Sequence, residues 1–466
     1  METKQRNTFS GSIGFVLAAA GSAVGLGNIW RFPYLAARGG GGLFLAVYLI
    51  LALTFGYAML TTEVGIGRKT KQSPLTAYGK MKKGWGWLGV IASIVPFMIM
   101  PYYCVIGGWV LKYFIVYATG HGADAAQDGF FTGFITSQYE PIIMLVIFLL
   151  VCAVIIYMGV ESGIEKFSKV IMPVLLILVI GIAIYSLTIH HKDADGTIRT
   201  GLQGFKTYIV PSLEGITFQK FCMVVIDAMG QLFYSLSVAM GIMVAYGSYV
   251  KDDANLVKSI NQIEIFDTAV AFLAGVMIIP AVFAFNGPEG MSAGPSLMFV
   301  SLPKIFAEMG AVGNVIGALF FAMVLFAAVT SAMSILEAIV SGLIDKFKMS
   351  RHGSTVLETV VALVLAIIVC LGYNILYFEV KLPNGSIAQI LDIMDYISNN
   401  VLMPVVAIAS CILIGWVLKP QTIIDEAQKN GEKMRRRGLY VVMIKFVSPV
   451  LLLILLLISL GILKFK

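Results

Sequence analysis

Gly21-Ser22-Ala23-Val24-Gly25-Leu26-Gly27-Asn28, running on into Ile29-Trp30-Arg31-Phe32-Pro33, decides how this chain is read. The stretch lies inside an apolar segment long enough to cross a bilayer. Lipid offers no water to satisfy loose backbone groups, so a spanning helix there should be built of Leu, Ile, Val and Ala. Instead three glycines fall within seven residues, each weakening a helix by about 1 kcal/mol relative to alanine. Small residues for close helix packing would explain one or two of them. They would not explain a glycine cluster flanked by a buried amide and an arginine. The helix is expected to open at mid-membrane, where freed carbonyls can line a cavity and hold a cation.

The composition agrees with a membrane setting. The chain has 466 residues, 58% hydrophobic and 13% charged, against about 25% charged in soluble domains. The net charge of +7 falls mostly in short loops and reads as topology rather than as affinity for nucleic acid. Cys104, Cys152, Cys222, Cys370 and Cys411 are scattered through apolar spans without a CxxC, which suggests neither a disulfide framework nor a zinc site. Lys4 and Arg6 followed by Ile13 to Ala20 imitate a secretory signal, but the apolar pattern continues past the apparent cleavage point, so no cleavage is expected.

Hydropathy places eleven segments near 10–37, 42–67, 87–118, 141–159, 166–189, 220–249, 257–285, 312–344, 354–374, 388–417 and 439–463. The fold class expected is therefore an all-α polytopic membrane protein. Loops with Arg68, Lys69, Lys71, Lys80, Lys82 and Lys83, with Lys346, Lys348 and Arg351, and with Lys419 to Arg437 are the basic ones. The opposite loops include His121, Asp124 and Asp128. Positive charge keeps loops inside, so the N-terminus is expected in the cytoplasm and the C-terminus outside a plasma (inner) membrane.

Segment six has its own interruption, Gly230-Gln231-Leu232-Phe233-Tyr234-Ser235-Leu236-Ser237-Val238-Ala239-Met240-Gly241. Hydroxyls can bond back within a helix. This break nevertheless falls where that of segment one does if the first ten helices form two five-helix repeats. Paired broken segments of this kind point to a transport site. The division expected is 1–9 as an N-terminal segment, 10–189 as a first inverted repeat, and 190–219 as an outer loop. A second repeat at 220–417, a basic loop at 418–438 and an extra helix at 439–466 complete it.

The quoted stretch resembles the neurotransmitter:sodium symporter family. So do Gly39-Gly40-Gly41-Gly42, Glu63, Gly67-Arg68, Ala327-Ala328-Val329-Thr330-Ser331 and Asp392-Ile393-Met394-Asp395. The similarity covers essentially the whole chain, and eleven helices resemble many prokaryotic members. It implies a 5+5 inverted repeat with helices 1 and 6 broken, and a sodium-coupled amino-acid symporter. The residues agree physically: opening segment one supplies carbonyls of Gly21, Ala23 and Val24, and hard sodium wants oxygen. The resemblance assigns Ala23, Asn28, Ser235 and Asp267 to one sodium site. It assigns Gly21, Val24, Ala327, Thr330 and Ser331 to a second. Amine-transporting relatives carry an aspartate at the position of Gly25, so here the substrate is expected to bring its own carboxylate. Gly25, Gly27 and Tyr103 would hold it. Ala23, Ile99, Phe233, Tyr234, Ser235, Ser237, Met240, Ser331 and Ile335 complete the expected pocket, apolar enough for a neutral, hydrophobic or aromatic L-amino acid.

The same resemblance implies an outer latch of Arg31 and Asp395, with Tyr103 and Phe233 over the substrate. It implies an inner latch of Arg6, Phe9, Tyr249, Glu337 and Asp345. Phe9 departs from the family's usual tryptophan, and Arg6 and Asp345 read equally well as ordinary juxtamembrane charges. Gly163 and Pro173 are expected to break segment five, although Pro173 alone could be a kink. Chloride-dependent relatives hold the anion with residues matching Tyr48, Gln231 and Ser235 plus an asparagine and a serine. Those last two positions are Asp267 and Ala271 here. A fixed carboxylate beside the sodium ions implies transport without chloride, and a carboxylate that returns protonated implies proton antiport. Two other classes compete. A membrane-embedded enzyme would need a nucleophile and base or a metal cluster facing a cavity, and no histidine lies in a segment and no Ser–His or His–Glu pair is available. A channel or sensor of the same fold would differ only in whether substrate is carried stoichiometrically.

Overall fold

The computed structural model describes residues 8–192, 196–212, 215–287, 290–291 and 294–464. Arg6, and with it part of the expected inner latch, lies outside the described residues. Helices fill all of the segments expected from hydropathy. Among the described residues nine are long and apolar enough to cross a membrane, or ten if the bent pair Ser12–Ala23 and Gly27–Arg38 counts as one. Segment six does not reach that standard: its break divides it into Phe218–Ser235, which is too polar, and Ile242–Ser248, which is too short. Length and hydropathy therefore support nine or ten spans directly, where the sequence led us to expect eleven.

Both expected interruptions are present. Segment one runs as a helix over Ser12–Ala23, loses its helical path at Val24 and Gly25, and resumes through Leu26 as a π-helical turn Gly27–Arg31 and a helix Phe32–Arg38, bent by 54°. In segment six the chain leaves the helix after Ser235. Ser237 (φ 53°), Ala239 (φ 61°) and Gly241 (φ 75°) all take left-handed backbone before Ile242. Two side-chain-bearing residues with positive φ within three positions store strain that the surroundings must hold. Glu63 of segment two does part of this holding: its Oε1 accepts the Ala239 N–H at 2.5 Å.

The remaining segments form the frame. Segment three is Gly86–Ala118, with Pro96 and Pro101 inside it, and packs along segment eight, Ala311–Phe347. Segment two (Gly42–Thr70) lies close against the second half of segment six. A Cβ on Gly67 would sit 2.1 Å from the Val244 carbonyl, so only glycine allows that approach. Segment eleven, Arg437–Ser459, packs on segment ten, Ile390–Val417. The connections carry structure too. A hairpin pairs His190–Lys192 with Ile198–Thr200, and a helix Gly201–Ile209 starts from a Thr200 capping box. A helix Gln421–Ala427 lies within the basic loop.

Segment five corrects an expectation. It begins earlier than hydropathy suggested, as a π-helical turn Val160–Glu165 leading into Lys166–Leu187, and Pro173 sits inside that continuous helix. Gly163 and Pro173 therefore do not break the segment here.

Candidate functional site

The two breaks face each other across a narrow cavity. It is lined by Ser22, Ala23, Gly25, Gly27 and Asn28 from segment one and by Tyr234, Ser235, Ser237, Met240 and Ile242 from segment six. Ile99 and Tyr103 of segment three and Ser331 and Ile335 of segment eight close it. Of the expected substrate residues, Ala23, Gly25, Gly27, Ile99, Tyr103, Tyr234, Ser235, Ser237, Met240, Ser331 and Ile335 are all brought here.

The glycines make room for contact at the wall. A Cβ on Gly25 would lie 2.8 Å from Ser331 Oγ and 3.5 Å from the Tyr103 hydroxyl. One on Gly27 would lie 2.6 Å from the Tyr234 ring. The Tyr103 hydroxyl is buried without a hydrogen-bond partner, and an orphaned donor at a cavity wall is suited to an incoming acceptor. Ser237 Oγ and Ser331 Oγ both donate to the Ser22 carbonyl, at 3.0 and 3.1 Å. Ile99, Met240, Ile242 and Ile335 supply the apolar part of the lining.

Beside the cavity lies a buried polar knot. Asn28 Nδ2 donates to Asp267 Oδ1 at 3.0 Å, and Ser235 Oγ approaches Asn28 Oδ1 at 2.9 Å and Asp267 Oδ1 at 2.6 Å. The Tyr48 hydroxyl donates to Asp267 Oδ2 at 3.4 Å. Gln231 Nε2 donates to the Gly27 carbonyl at 3.1 Å, while its Oε1 is unpartnered. Asp267 is fully buried, and the side chains around it are neutral. A carboxylate, an amide oxygen and hydroxyls converging in one place form a hard-oxygen set. On the other side Gly21 abuts Thr330: a Cβ there would come 3.3 Å from Thr330 Cβ. The Thr330 hydroxyl is bonded to its own helix at Phe326 O and Ala327 O, both 3.0 Å, and Val24 and Ala327 are fully buried.

Two gate expectations change, and the inner latch gains a residue. Phe233 does not line the cavity; its ring packs on Phe55 with centroids 5.9 Å apart. One residue along a helix is a turn of about 100°, so Tyr234 takes the cavity-facing place that we had given to Phe233. Arg31 and Asp395 form no ion pair among the described residues. Asn399, one turn further along the same helix, donates to Asp395 Oδ1 at 2.6 Å and to the Tyr102 hydroxyl at 3.1 Å. On the N-terminal side Glu337 meets a cation that the sequence reading had not placed in the latch. Arg351 grips it in a bidentate pair at 2.8 and 2.8 Å, and the Tyr249 hydroxyl donates to it at 2.5 Å. Asp345 accepts the Ser73 N–H at 2.5 Å. Phe9 is buried against Phe15, Tyr246 and Tyr249, and its N–H donates to the Tyr249 carbonyl at 3.1 Å.

Sequence reasoning missed Ser22 and Ile242 in the lining and Arg351 at Glu337. Ser22 lay inside the quoted motif and could have been included. Ile242 follows the positive-φ Gly241, where helical periodicity stops predicting which way a side chain points. Arg351 was counted only as a topology charge, because nothing in its spacing ties it to a residue on another helix.

Comparison with known proteins places this geometry. Residues 6–122 and 134–466 match the sodium:neurotransmitter symporter family. A sodium-dependent transporter of Bacillus subtilis is 32% identical over 98% of this chain and 98% of its own length. The human sodium- and chloride-dependent GABA transporter 2 is 23% identical over 91% of this chain and 75% of its own. Among solved structures, MhsT in complex with L-phenylalanine superposes with a TM-score of 0.84 at 33% identity, covering 97% of this chain and 100% of that one. With broken helices around a buried oxygen-rich cavity and a family match along nearly its whole length, this chain belongs to the sodium:neurotransmitter symporter family and is a sodium-dependent membrane transporter.

Proposed function

We propose that the protein is a sodium-coupled symporter of neutral, hydrophobic or aromatic L-amino acids, working by alternating access without chloride and with proton antiport. The observation that carries the reading is Gly25. No side-chain carboxylate occupies that place, and the unpartnered Tyr103 hydroxyl stands beside it. A substrate carboxylate can fill the gap, accept from Tyr103, and share a sodium ion with Ala23, Asn28, Ser235 and Asp267. Gly21, Val24, Ala327, Thr330 and Ser331 hold a second sodium, for which the Thr330 hydroxyl must turn from its own helix. The apolar lining of Ile99, Met240, Ile242 and Ile335 favours an uncharged side chain. The L-phenylalanine bound by the similar MhsT supports this class.

In this reading eleven helices span the membrane as two inverted repeats plus one, with the N-terminus in the cytoplasm. Helices 1, 2, 6 and 7 rock against the others around the site. Phe9, Tyr249, Glu337 and Arg351 close the cytoplasmic side. Sodium raises substrate affinity because both share one carboxylate, so the coupling is reciprocal. The test is uptake by proteoliposomes under an imposed sodium gradient, with a panel of L-amino acids. Concentrative, sodium-driven uptake of an apolar member supports the reading. Binding without accumulation would favour a sensor, and dissipative flux a channel.

A further inference from the structure

The connection between segments ten and eleven is tied down at both ends. At one end Arg68 of segment two, its side chain fully buried, donates from Nε to Glu426 Oε1 at 2.8 Å. It also donates to the Glu426 carbonyl and, at 2.8 Å, to the Ala254 carbonyl. Ile423 lies directly over Gly65 of segment two, where a Cβ would come 2.9 Å from Ile423 Cγ2. At the other end Arg436 forms a bidentate pair with Glu264 of segment seven at 2.8 and 2.6 Å. Arg436 also donates to Asn261 at 2.6 Å and to the Leu53 carbonyl at 3.0 Å, and lies 3.6 Å from the centre of the Tyr57 ring. Between the two ends Asn430 Nδ2 donates to the Asp252 carbonyl at 2.7 Å, and Lys429 pairs with the Asp252 carboxylate at 3.4 Å. Every one of these partners is on segment two, on segment seven or on the turn from six to seven. Among the described residues no hydrogen bond joins 419–436 to segments three, four, five, eight or nine.

The two flanks of this connection share a second feature. Segment ten ends in a π-helical turn, Leu413–Val417, and segment eleven has one at Met443–Val447. The two turns touch: a Cβ on Gly415 would lie 3.1 Å from the Ile444 carbonyl, and Trp416 Nε1 donates to the Lys445 carbonyl at 3.1 Å. A π turn misaligns the helical hydrogen-bond ladder and is a natural place for a helix to flex. Pulling apart a buried ion pair leaves uncompensated charge. The weaker link is therefore at the π turns and not at the arginines.

We propose that residues 418–440 form a lever fixed to segments two and seven, which travels with them during transport and pivots on the paired π turns. This rests on the proposed rocking of helices 1, 2, 6 and 7, and the experiment separates the two. The full chain in lipid vesicles carries Cys222→Ser, since the other four cysteines are buried. Spin labels are placed at His352→Cys on segment nine together with either Asp253→Cys on the six–seven turn or Asp425→Cys on the connection. Distances are measured by pulsed electron resonance in sodium and in sodium-free buffer. The lever requires the 352–253 and 352–425 distances to shift with the same sign and size. A shift of 352–253 with 352–425 unchanged overturns the lever and leaves the rocking intact. If neither distance moves, the rocking reading falls and the lever falls with it. Adding Arg68→Gln and Arg436→Gln should abolish the 352–425 shift while keeping that of 352–253. Persistence of both shifts would show that the arginines do not make the attachment.

Discussion

Asn28 does two things at once: its amide N–H₂ holds the Asp267 carboxylate at 3.0 Å and its oxygen faces the Ser235 hydroxyl at 2.9 Å. Truncating it removes an oxygen of the proposed sodium site and releases a buried carboxylate. Hydrogen bonds to charged groups are worth about 1.5–3 kcal/mol, so Asn28→Ala should weaken sodium-dependent substrate binding by at least about tenfold while the protein still purifies folded. Titration of binding against sodium on the purified variant checks this, and an unchanged sodium dependence would remove Asn28 from the site. Gly25 is the complementary case. In Gly25→Asp the new Cβ meets Ser331 Oγ at 2.8 Å, and the new carboxylate faces that of the substrate at a cost of several kcal/mol. Amino-acid uptake should be lost. Gly25→Ala separates the causes: partial uptake there would assign the loss in the aspartate variant to charge, and none would assign it to space.

At the scale of elements, the unwound stretch of segment six sets what the pocket can hold. Met240 and Ile242 reach the cavity from either side of Gly241, so the strained backbone, and not helical spacing, aims both side chains. Enlarging the apolar end should therefore change selectivity without changing sodium dependence. Met240→Gly and Ile242→Ala are expected to shift preference toward larger side chains, and Met240→Phe toward smaller ones. One extra or missing methylene in such a pocket is worth about 1–3 kcal/mol, which is readable in competition assays across a panel of L-amino acids. The same ranking in all three variants would show that neither residue contacts the substrate side chain.

At the scale of the whole molecule, charge balance in the membrane decides the ion requirement. Two sodium ions close together repel, and a nearby negative charge offsets this. Asp267 is fully buried, and among the described residues Asn28, Ser235 and Tyr48 are the ones bonded to it, with no cation among them. In the proposed cycle it balances sodium and, once sodium leaves, takes up a proton for the return step. Return should slow as internal pH rises, because the proton becomes scarcer. Asp267→Ser should make uptake depend on chloride and abolish this internal-pH dependence, leaving Tyr48 and Ser235 to face the anion. Uptake measured in gluconate against chloride, at two internal pH values, tests it. A variant that keeps full uptake in gluconate would sink the idea.

The sequence by itself determined the helices and the two breaks. Those follow from local physics: long apolar runs must be helical in lipid, and glycines or clustered polar residues inside such a run mark where the helix opens. It also named nearly every residue now lining the cavity, because a motif that specific carries its positions with it. Which neighbour each side chain meets was decided only by the tertiary structure. Asp395 is satisfied by Asn399 instead of Arg31, Glu337 by Arg351, and Phe233 by Phe55. Each depends on how two helices are rotated against each other, and a rotation of one residue exchanges partners without altering any local preference. The docking of 418–440 on segments two and seven has the same origin. Arg68 and Arg436, which anchor it, are counted among the basic loops in sequence, and only packing revealed the buried carboxylates they answer.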